Sequence, residues 1–245
     1  MAVFNIRQQI TQLSFRAFAG RCVLCQASSA LKFDLCAACF TLLRRQEHQC
    51  SHCGLNISAF SGVCGQCLQH PPAFDRVISG CDYHWLSAPL VKRFKQHRDL
   101  TALRVLNQLL YEEIQRAYRH CQQPRLIIPM PLHWRRLWWR GFNQSQWIAD
   151  SLAGQLSLRV DSQSVKRRRA TSVQHHLNRR QRLKNLQGAF ELSNNLSEHR
   201  HIAIVDDVIT TGSTCHALAS LLKHHGISQV DCWSLTRTPT PQEKQ

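Results

Sequence analysis

The 245-residue chain is short of acid. Fifteen aspartates and glutamates stand against 31 lysines and arginines, a formal net charge of +16 with histidine neutral. Such an excess points to a polyanionic partner, nucleic acid or a phosphate-rich substrate, and the plainer reading is a solvated basic face that aids solubility. The chain also lacks any apolar run of the roughly 18–20 residues needed to span a bilayer, which excludes insertion as a helix. No long basic helix with an aromatic face is visible, so a membrane-surface anchor is not expected either. The opening stretch, MAVFNIRQQITQLSFRAFAG, carries early Arg and Gln and no long apolar core. It does not read as a secretory signal, and the expected location is cytoplasmic. Hydrophobic content of 43% excludes global disorder, and the length suits one α/β domain plus a small module.

Cysteine, by contrast, is abundant. Of twelve, eight form four CxxC pairs, Cys22/Cys25, Cys36/Cys39, Cys50/Cys53 and Cys64/Cys67, with ten residues between one pair and the next. A CxxC turn places two sulfurs on one side of a tight knuckle, and two knuckles complete a tetrahedral S4 site suited to Zn2+. Redox pairs and an iron–sulfur cluster are the alternatives, but four pairs in register without a βαβ context do not suit thioredoxin-like chemistry. Sequential and interleaved pairing both remain open; shorter loops favour the sequential arrangement. Gly54 and Gly65 follow cysteines where a left-handed residue is expected. Four sulfurs leave no open position, so the zinc is expected to be structural and to supply much of the folding energy. His48, His52 and His70 lie nearby and read as surface residues. Cys81, Cys121, Cys215 and Cys232 read as ordinary structural residues.

Pro71-Pro72 marks the expected boundary, with a zinc module over 1–72 and a second domain over 73–245. Phe74 to Tyr83 is β-like. Pro89 to Leu100 opens a basic helical segment, continued from Thr101 to His120 with leucines at helical spacing. Arg125 to Leu132 reads as a short buried strand. A basic, aromatic loop from His133 to Gln144 should follow, then a helix over Ser145 to Gln155. Strand, loop, helix is the order of a parallel α/β sheet, in which ligands sit beyond the strand C-termini. Tryptophans among arginines in that loop suit base stacking with phosphate contacts, or else anchor the core. From Lys166 to Lys184 no acid occurs, and a mobile basic hood over an anionic ligand is expected.

His201 to Asp207 is an apolar run ending in two aspartates, the pattern of a buried parallel strand with acids at its C-terminal tip. Thr210, Thr211, Gly212, Ser213 and Thr214 then lead into a helix over Cys215 to Gly226. Val230 to Leu235 is the next strand. Backbone N–H groups, hydroxyls and the helix dipole converge at such a loop, and Gly212 allows close approach, so a monophosphate should bind there. Asp206 and Asp207 stand one step earlier, placed to accept hydrogen bonds from a ribose diol. No GxxxxGK[ST] or GxGxxG pattern occurs, which excludes the common nucleotide and dinucleotide loops.

VDDVITTGST resembles the 5-phosphoribosyl 1-pyrophosphate motif of type I phosphoribosyltransferases. Together with PMPLHWRRLWWRGFNQS, RRRATSVQHHLNRRQRLKNLQGAF and the CxxC module, it resembles the ComF family, also called GntX-like, over nearly the whole chain. The resemblance implies a parallel sheet flanked by helices after a small zinc module. It implies that Asp206 and Asp207 bind the ribose hydroxyls, the latter through Mg2+, and that Thr210 to Thr214 hold the 5-phosphate. It places Arg140, Gly141, Phe142, Asn143 and Gln144 in the pyrophosphate-loop region, with Arg140 on the leaving group. Thr171, Gln174, Arg182 and Asn185 match the hood pattern. The family is associated with competence, DNA uptake and the use of DNA as a nutrient, so phosphoribosyl pyrophosphate, single-stranded DNA and competence-machinery proteins are the implied partners. No acyl-transfer triad or paired catalytic carboxylates stand out. Catalysis would be displacement at ribose C1, electrostatically assisted, with an acceptor pocket around Tyr83 to Trp85. The alternative is a non-catalytic DNA-binding protein that uses the cradle as a sensor or as a grip on a DNA phosphate.

Overall fold

A computed structural model of the chain describes residues 20–29, 33–44, 48–57, 62–168, 186, 188–196 and 198–239. The cysteine module holds two similar halves. The first has β1 (Gly20–Arg21), β2 (Ser28–Ser29) and α1 (Ala37–Leu43); the second has α2 (Gly65–Gln69). In each half the first CxxC turn ends on a left-handed residue, Gln26 at φ 63° and Gly54 at φ 65°. Gly65 departs from the expectation: it is not among the positive-φ residues but begins α2, as Ala37 begins α1. Cys36 and Cys64 are the N-caps, so the second knuckle of each half is a helix start rather than a glycine turn.

The rest of the described chain runs β3 (Arg76–Asp82), α3 (Ser87–His97), α4 (Leu100–Ala117), β4 (Leu126–Pro129), α5 (Trp134–Arg140), α6 (Gln144–Leu156), β5 (Arg159–Val160), β6 (Val165–Arg167), β7 (Phe190–Leu192), β8 (His201–Ile209), α7 (Ser213–His224) and β9 (Gln229–Arg237). Five strands form one sheet in the order β3-β9-β8-β4-β5, and every neighbouring pair is parallel. β6 and β7 form a separate antiparallel pair.

Strand alternation sorts the apolar side chains into two layers. Ala203, Val205, Trp233 and Leu235 face one core, shared with α3, α4 and α6. Ile202, Ile204, Val230 and Cys232 face the other, shared with α7 and the β6–β7 hairpin. Gly80 allows α4 to lie close on β3, since a Cβ there would come within 2.7 Å of the Leu110 nitrogen.

Two expectations change. The segment from Pro89 to His120 is two helices. Arg98 adopts the left-handed region, φ 55°, and Asp99 caps α4 by accepting from Thr101 and Ala102 N–H at 2.9 and 3.0 Å. Residues 134–140, expected as loop, form α5, which Gly141 ends in the left-handed conformation. None of its residues is buried, so no apolar periodicity signalled it.

At the N-terminal end of the sheet, Asp231 is fully buried and accepts from Arg76 Nε at 3.0 Å, His201 Nε2 at 2.8 Å and the Tyr118 hydroxyl. Burial alone would raise its pKa, but these bonds and the Arg76 charge hold it below the ordinary value of 3.8. A carboxyl depressed on folding contributes stability above its unfolded pKa and loses it as pH falls through the folded value. Asp231→Asn should therefore cost about 3 kcal/mol in urea unfolding at pH 7 and shrink the loss on acidification. A cost below about 1 kcal/mol would mean that the network only fills space.

Candidate functional site

The sheet order dictates where a site can form. After β4 the chain passes through α6, on one face, outward to β5; after β8 it passes through α7, on the opposite face, to β9. The two connections diverge, so a crevice opens between the C-terminal ends of β4 and β8. Both loops with sequence signatures end there.

On the β8 side, the paired aspartates lie on the strand itself and Thr210 to Gly212 lead directly into α7. Gly212 is in the left-handed region, φ 72°, and a Cβ would stand 3.4 Å from the Phe74 ring. The glycine thus lets the loop turn against Phe74 while presenting the start of α7 outward. Thr211 Oγ1 and Ser213 Oγ lie 2.9 Å apart, while Thr210 and Thr211 are exposed. Hydroxyls and the first-turn N–H groups of α7 gather at its start, where the helix dipole favours an oxyanion, and the Ser213 N–H donates to Thr211 Oγ1 at 3.4 Å.

Asp206 accepts from the Asp207 N–H at 2.8 Å and from Ser145 Oγ at 3.2 Å. Burial first, and the charge of Asp207 second, push its carboxyl up to about 7. Asp207 meets Lys95 Nζ at 2.9 Å. A carboxylate partly open to solvent and already paired with a cation at the crevice is a chemically suitable ligand for Mg2+. Lys95 and Ser145 were not among the expected site residues. The basic segment around Lys95 was visible in the sequence, but nothing local placed α3 over β8.

On the β4 side, the RGFNQ segment is a helix-to-helix turn. Gly141 ends α5, Phe142 is buried against Phe94 and Trp147, and Asn143 caps α6 while its Nδ2 donates to the Met130 carbonyl at 3.1 Å. Gln144 is buried at the start of α6. Arg98 covers this turn: its Nη2 donates to the Arg140 carbonyl at 3.0 Å and its guanidinium lies over the Phe142 ring. The segment fixes where α6 begins, and so brings Ser145 to Asp206. Beside it lies a cleft of about 880 Å³ lined by the apolar Trp134, Leu137, Phe142 and Trp147, by the cationic Arg98, Lys166, Arg167 and Arg168, and by Glu191. Of the expected hood, residues up to Arg168 form β6 and its exit, with Arg168 paired to Glu191. Thr171, Gln174, Arg182 and Asn185 lie outside the described residues.

All three tryptophans of the basic segment are outside the core: Trp138 and Trp139 are 86% and 83% exposed, and Trp134 is exposed as well. Trp233 is buried and donates to the Tyr118 hydroxyl at 3.2 Å.

The cysteines resolve into Cys22/Cys25/Cys36/Cys39 and Cys50/Cys53/Cys64/Cys67, with the four sulfurs of each group within 4.8 Å of one another. Pairing is therefore sequential. Tetrahedral zinc needs sulfurs about 3.8 Å apart at a Zn–S distance of about 2.3 Å, and Cys25–Cys36 and Cys53–Cys64 are both 3.6 Å apart. Burial alone would raise the Cys22 and Cys50 thiols. Backbone N–H groups, of Cys25 and Cys36 around the first and of Cys53 and Cys64 around the second, outweigh it and bring them to about 6 and about 7. At these two positions the backbone is arranged around thiolate, the form that binds metal, whereas burial and the neighbouring sulfurs push the Cys39, Cys53 and Cys67 thiols up.

Residues 16–68 match the double zinc ribbon domain and residues 144–245 the phosphoribosyl transferase domain. Fold and cysteine clusters together define a phosphoribosyltransferase-like domain preceded by a double zinc ribbon with structural zinc. DNA utilization protein YhgH of Escherichia coli O6:H1 is 40% identical over 222 residues, covering 89% of this chain and 97% of that protein. Competence protein F of Haemophilus influenzae is 34% identical over 222 residues, covering 89% and 96%. Competence protein ComFC of Bacillus subtilis is 23% identical over 244 residues, covering 89% and 95%. The chain belongs to the ComF family. Among its described residues, no helix is long and apolar enough to cross a membrane.

Proposed function

We propose that this chain binds phosphoribosyl pyrophosphate with Mg2+ at the β4/β8 crevice and acts in DNA uptake or DNA utilisation in the cytoplasm, with competence-machinery proteins as partners. The observation that carries the reading is the meeting, at a switch point, of paired aspartates with a phosphate loop at a helix start. The names of two relatives, DNA utilization protein YhgH and Competence protein F, support the biological role. Thr210 to Thr214 hold the 5-phosphate, Asp206 accepts from the ribose diol, and Asp207 faces the cation. Bound Mg2+ would neutralise pyrophosphate charge and favour its departure from ribose C1. Lys95 and Arg140 supply protein charge to the same group. The aromatic and cationic cleft beside α5 is a better-formed acceptor pocket than the exposed Tyr83 to Trp85 stretch.

Calorimetry with phosphoribosyl pyrophosphate and Mg2+ tests binding: one saturable site is expected, and the absence of any heat or competition by ribose 5-phosphate would sink the reading. Pyrophosphate release in the presence of candidate bases or DNA then separates transfer from binding alone.

A second reading, single-stranded DNA binding, rests on α5. A helix with three exposed tryptophans and three arginines, beside a basic cleft, offers stacking faces and phosphate contacts together. Trp138→Ala with Trp139→Ala should weaken binding of an oligodeoxynucleotide by roughly ten-fold or more, given about 1–3 kcal/mol per stacked base. Wild-type affinity should fall steeply with salt; a flat salt dependence counts against phosphate contacts.

A further inference from the structure

Arg237 ends β9, yet its side chain is held inside the protein; the residue is 3% exposed. Its guanidinium grips carbonyl oxygens from three places. Nε donates to Cys53 at 2.8 Å, and Nη1 donates to Ile209 at 3.0 Å, to Thr238 at 2.9 Å and to Thr210. Cys53 is a member of the second sulfur cluster. Ile209 is the last residue of β8 and Thr210 the first of the phosphate loop. One planar group therefore joins the knuckle of the second zinc ribbon to the base of the cradle.

The surroundings keep this joint stiff. Arg237 pairs with Ile209 in the parallel register, Thr238 N–H donates to the Ile209 carbonyl at 2.9 Å, and Tyr83 N–H donates to the Arg237 carbonyl at 2.7 Å. The ribbon lies flush on β3: a Cβ on Gly54 would stand 3.2 Å from Val77. Asn56 Nδ2 donates to Asp82 at 2.9 Å, and His52 Nδ1 lies 3.0 Å from the Asp75 carbonyl. Movement of the Cys50–Leu55 knuckle must displace Arg237 or break its bonds, because buried carbonyls do not give up a charged donor cheaply.

We propose that Arg237 is a positioning residue of the cradle, and that metal occupancy of the Cys50/Cys53/Cys64/Cys67 cluster is coupled through it to affinity for a ribose 5-phosphate group. The inference rests on the phosphoribosyl reading of that loop. The guanidinium matters for its shape: it presents several donors in one plane, which the point charge of lysine does not. Coupling of this kind is reciprocal, so ligand in the cradle must also retain zinc in the second ribbon.

The full-length, zinc-loaded chain provides the test. Saturating phosphoribosyl pyrophosphate with Mg2+ should slow transfer of one of the two zinc ions to 4-(2-pyridylazo)resorcinol by roughly five-fold or more and leave the other unchanged; equal rates with and without ligand, in a chain that calorimetry shows to bind it, overturn the proposal. Arg237→Gln should keep both zinc ions, weaken phosphoribosyl pyrophosphate by roughly ten-fold and speed amide exchange at Thr210 to Thr214 to a similar degree, with Arg237→Lys recovering only part. Wild-type exchange at the loop in Arg237→Gln overturns it. If Arg237→Gln does not fold, the wild-type chain relieved of the second ribbon's zinc, identified by faster exchange at Cys50 to Leu55, carries the same test. Exchange at Thr210 to Thr214 must then rise together with that at Cys50 to Leu55, and continued protection of the loop overturns the coupling. Absence of phosphoribosyl pyrophosphate binding by the wild-type chain removes the functional reading alone, because the exchange measurements need no ligand.

Discussion

Asp206→Asn combined with Asp207→Asn should abolish phosphoribosyl pyrophosphate binding while leaving the fold and the zinc content intact. Hydrogen bonds to charged groups are worth about 1.5–3 kcal/mol each, so losing two predicts a loss of at least about 100-fold. The fold should survive because asparagine keeps the shape, and its amide oxygen can still accept from Ser145 and the Asp207 N–H. Calorimetry at fixed Mg2+ is the measurement, and unchanged affinity would sink the ribose-site reading. The energetics of the site fit a ligand-binding role. Asp206 is pushed up to about 7 by burial and by its neighbour. A carboxyl raised on folding costs stability as pH climbs from its unfolded pKa through its folded one. Such a pair is unfavourable for the empty protein and is relieved by a cation or a diol, as functional sites often are.

Loss of zinc should have the larger effect on structure. Zinc binding to small thiolate sites is worth about 10–16 kcal/mol in apparent folding free energy at neutral pH, and the described residues of the second ribbon have little apolar packing of their own. Among the described residues, its cluster contains beyond the cysteines only Leu55, packed against Ile57 and Val63. Cys53→Ser with Cys67→Ser should therefore lower zinc content from two ions to one and open residues 48–69 to protease. Retention of protection there would show that apolar packing suffices. The first ribbon differs. Phe33, Leu35 and Leu43 belong to the same core as α3 and α4. Cys25→Ser with Cys36→Ser should thus lower the thermal midpoint of the whole molecule, whereas the second-ribbon pair acts on its own knuckle and on what Arg237 joins to it.

The features legible in the sequence are those with strong local causes. Apolar runs marked β8 and β9, the leucine spacing marked α4, and Thr-Thr-Gly-Ser-Thr marked the start of α7. The cysteine spacing marked the module and favoured the sequential pairing that the two sulfur groups adopt. What escaped depended on tertiary placement. Lys95 reaches Asp207 only because Arg98 breaks the helical stretch and sets α3 over the sheet. Ser145 reaches Asp206 across 61 residues of sequence because β4 lies beside β8. Arg237 lies beyond the strand expected over Val230 to Leu235, and nothing in LTRTP indicates that its side chain turns inward. α5 was missed for the opposite reason, since a helix that buries none of its residues leaves no periodic trace. The RGFNQ segment was legible as a motif, but its caps and packing were not. Gly141, Phe142 and Asn143 shape the turn as well as lining the cleft.

The sheet order also sets a timetable for synthesis. β3 is the first described strand of the sheet, yet among the described residues its only partner there is β9, and Arg76 and Asp231 are 155 residues apart. Through most of translation β3 has an unsatisfied edge, a hazard for mispairing with another nascent chain. The ribbons face no such delay, because every sulfur ligand lies within the first 67 residues. A metal-loaded knuckle lying against β3 can therefore form long before the strand's partner leaves the ribosome. The zinc module would then offer that strand a folded neighbour before β9 arrives and Arg237 joins the ribbon to the base of the cradle.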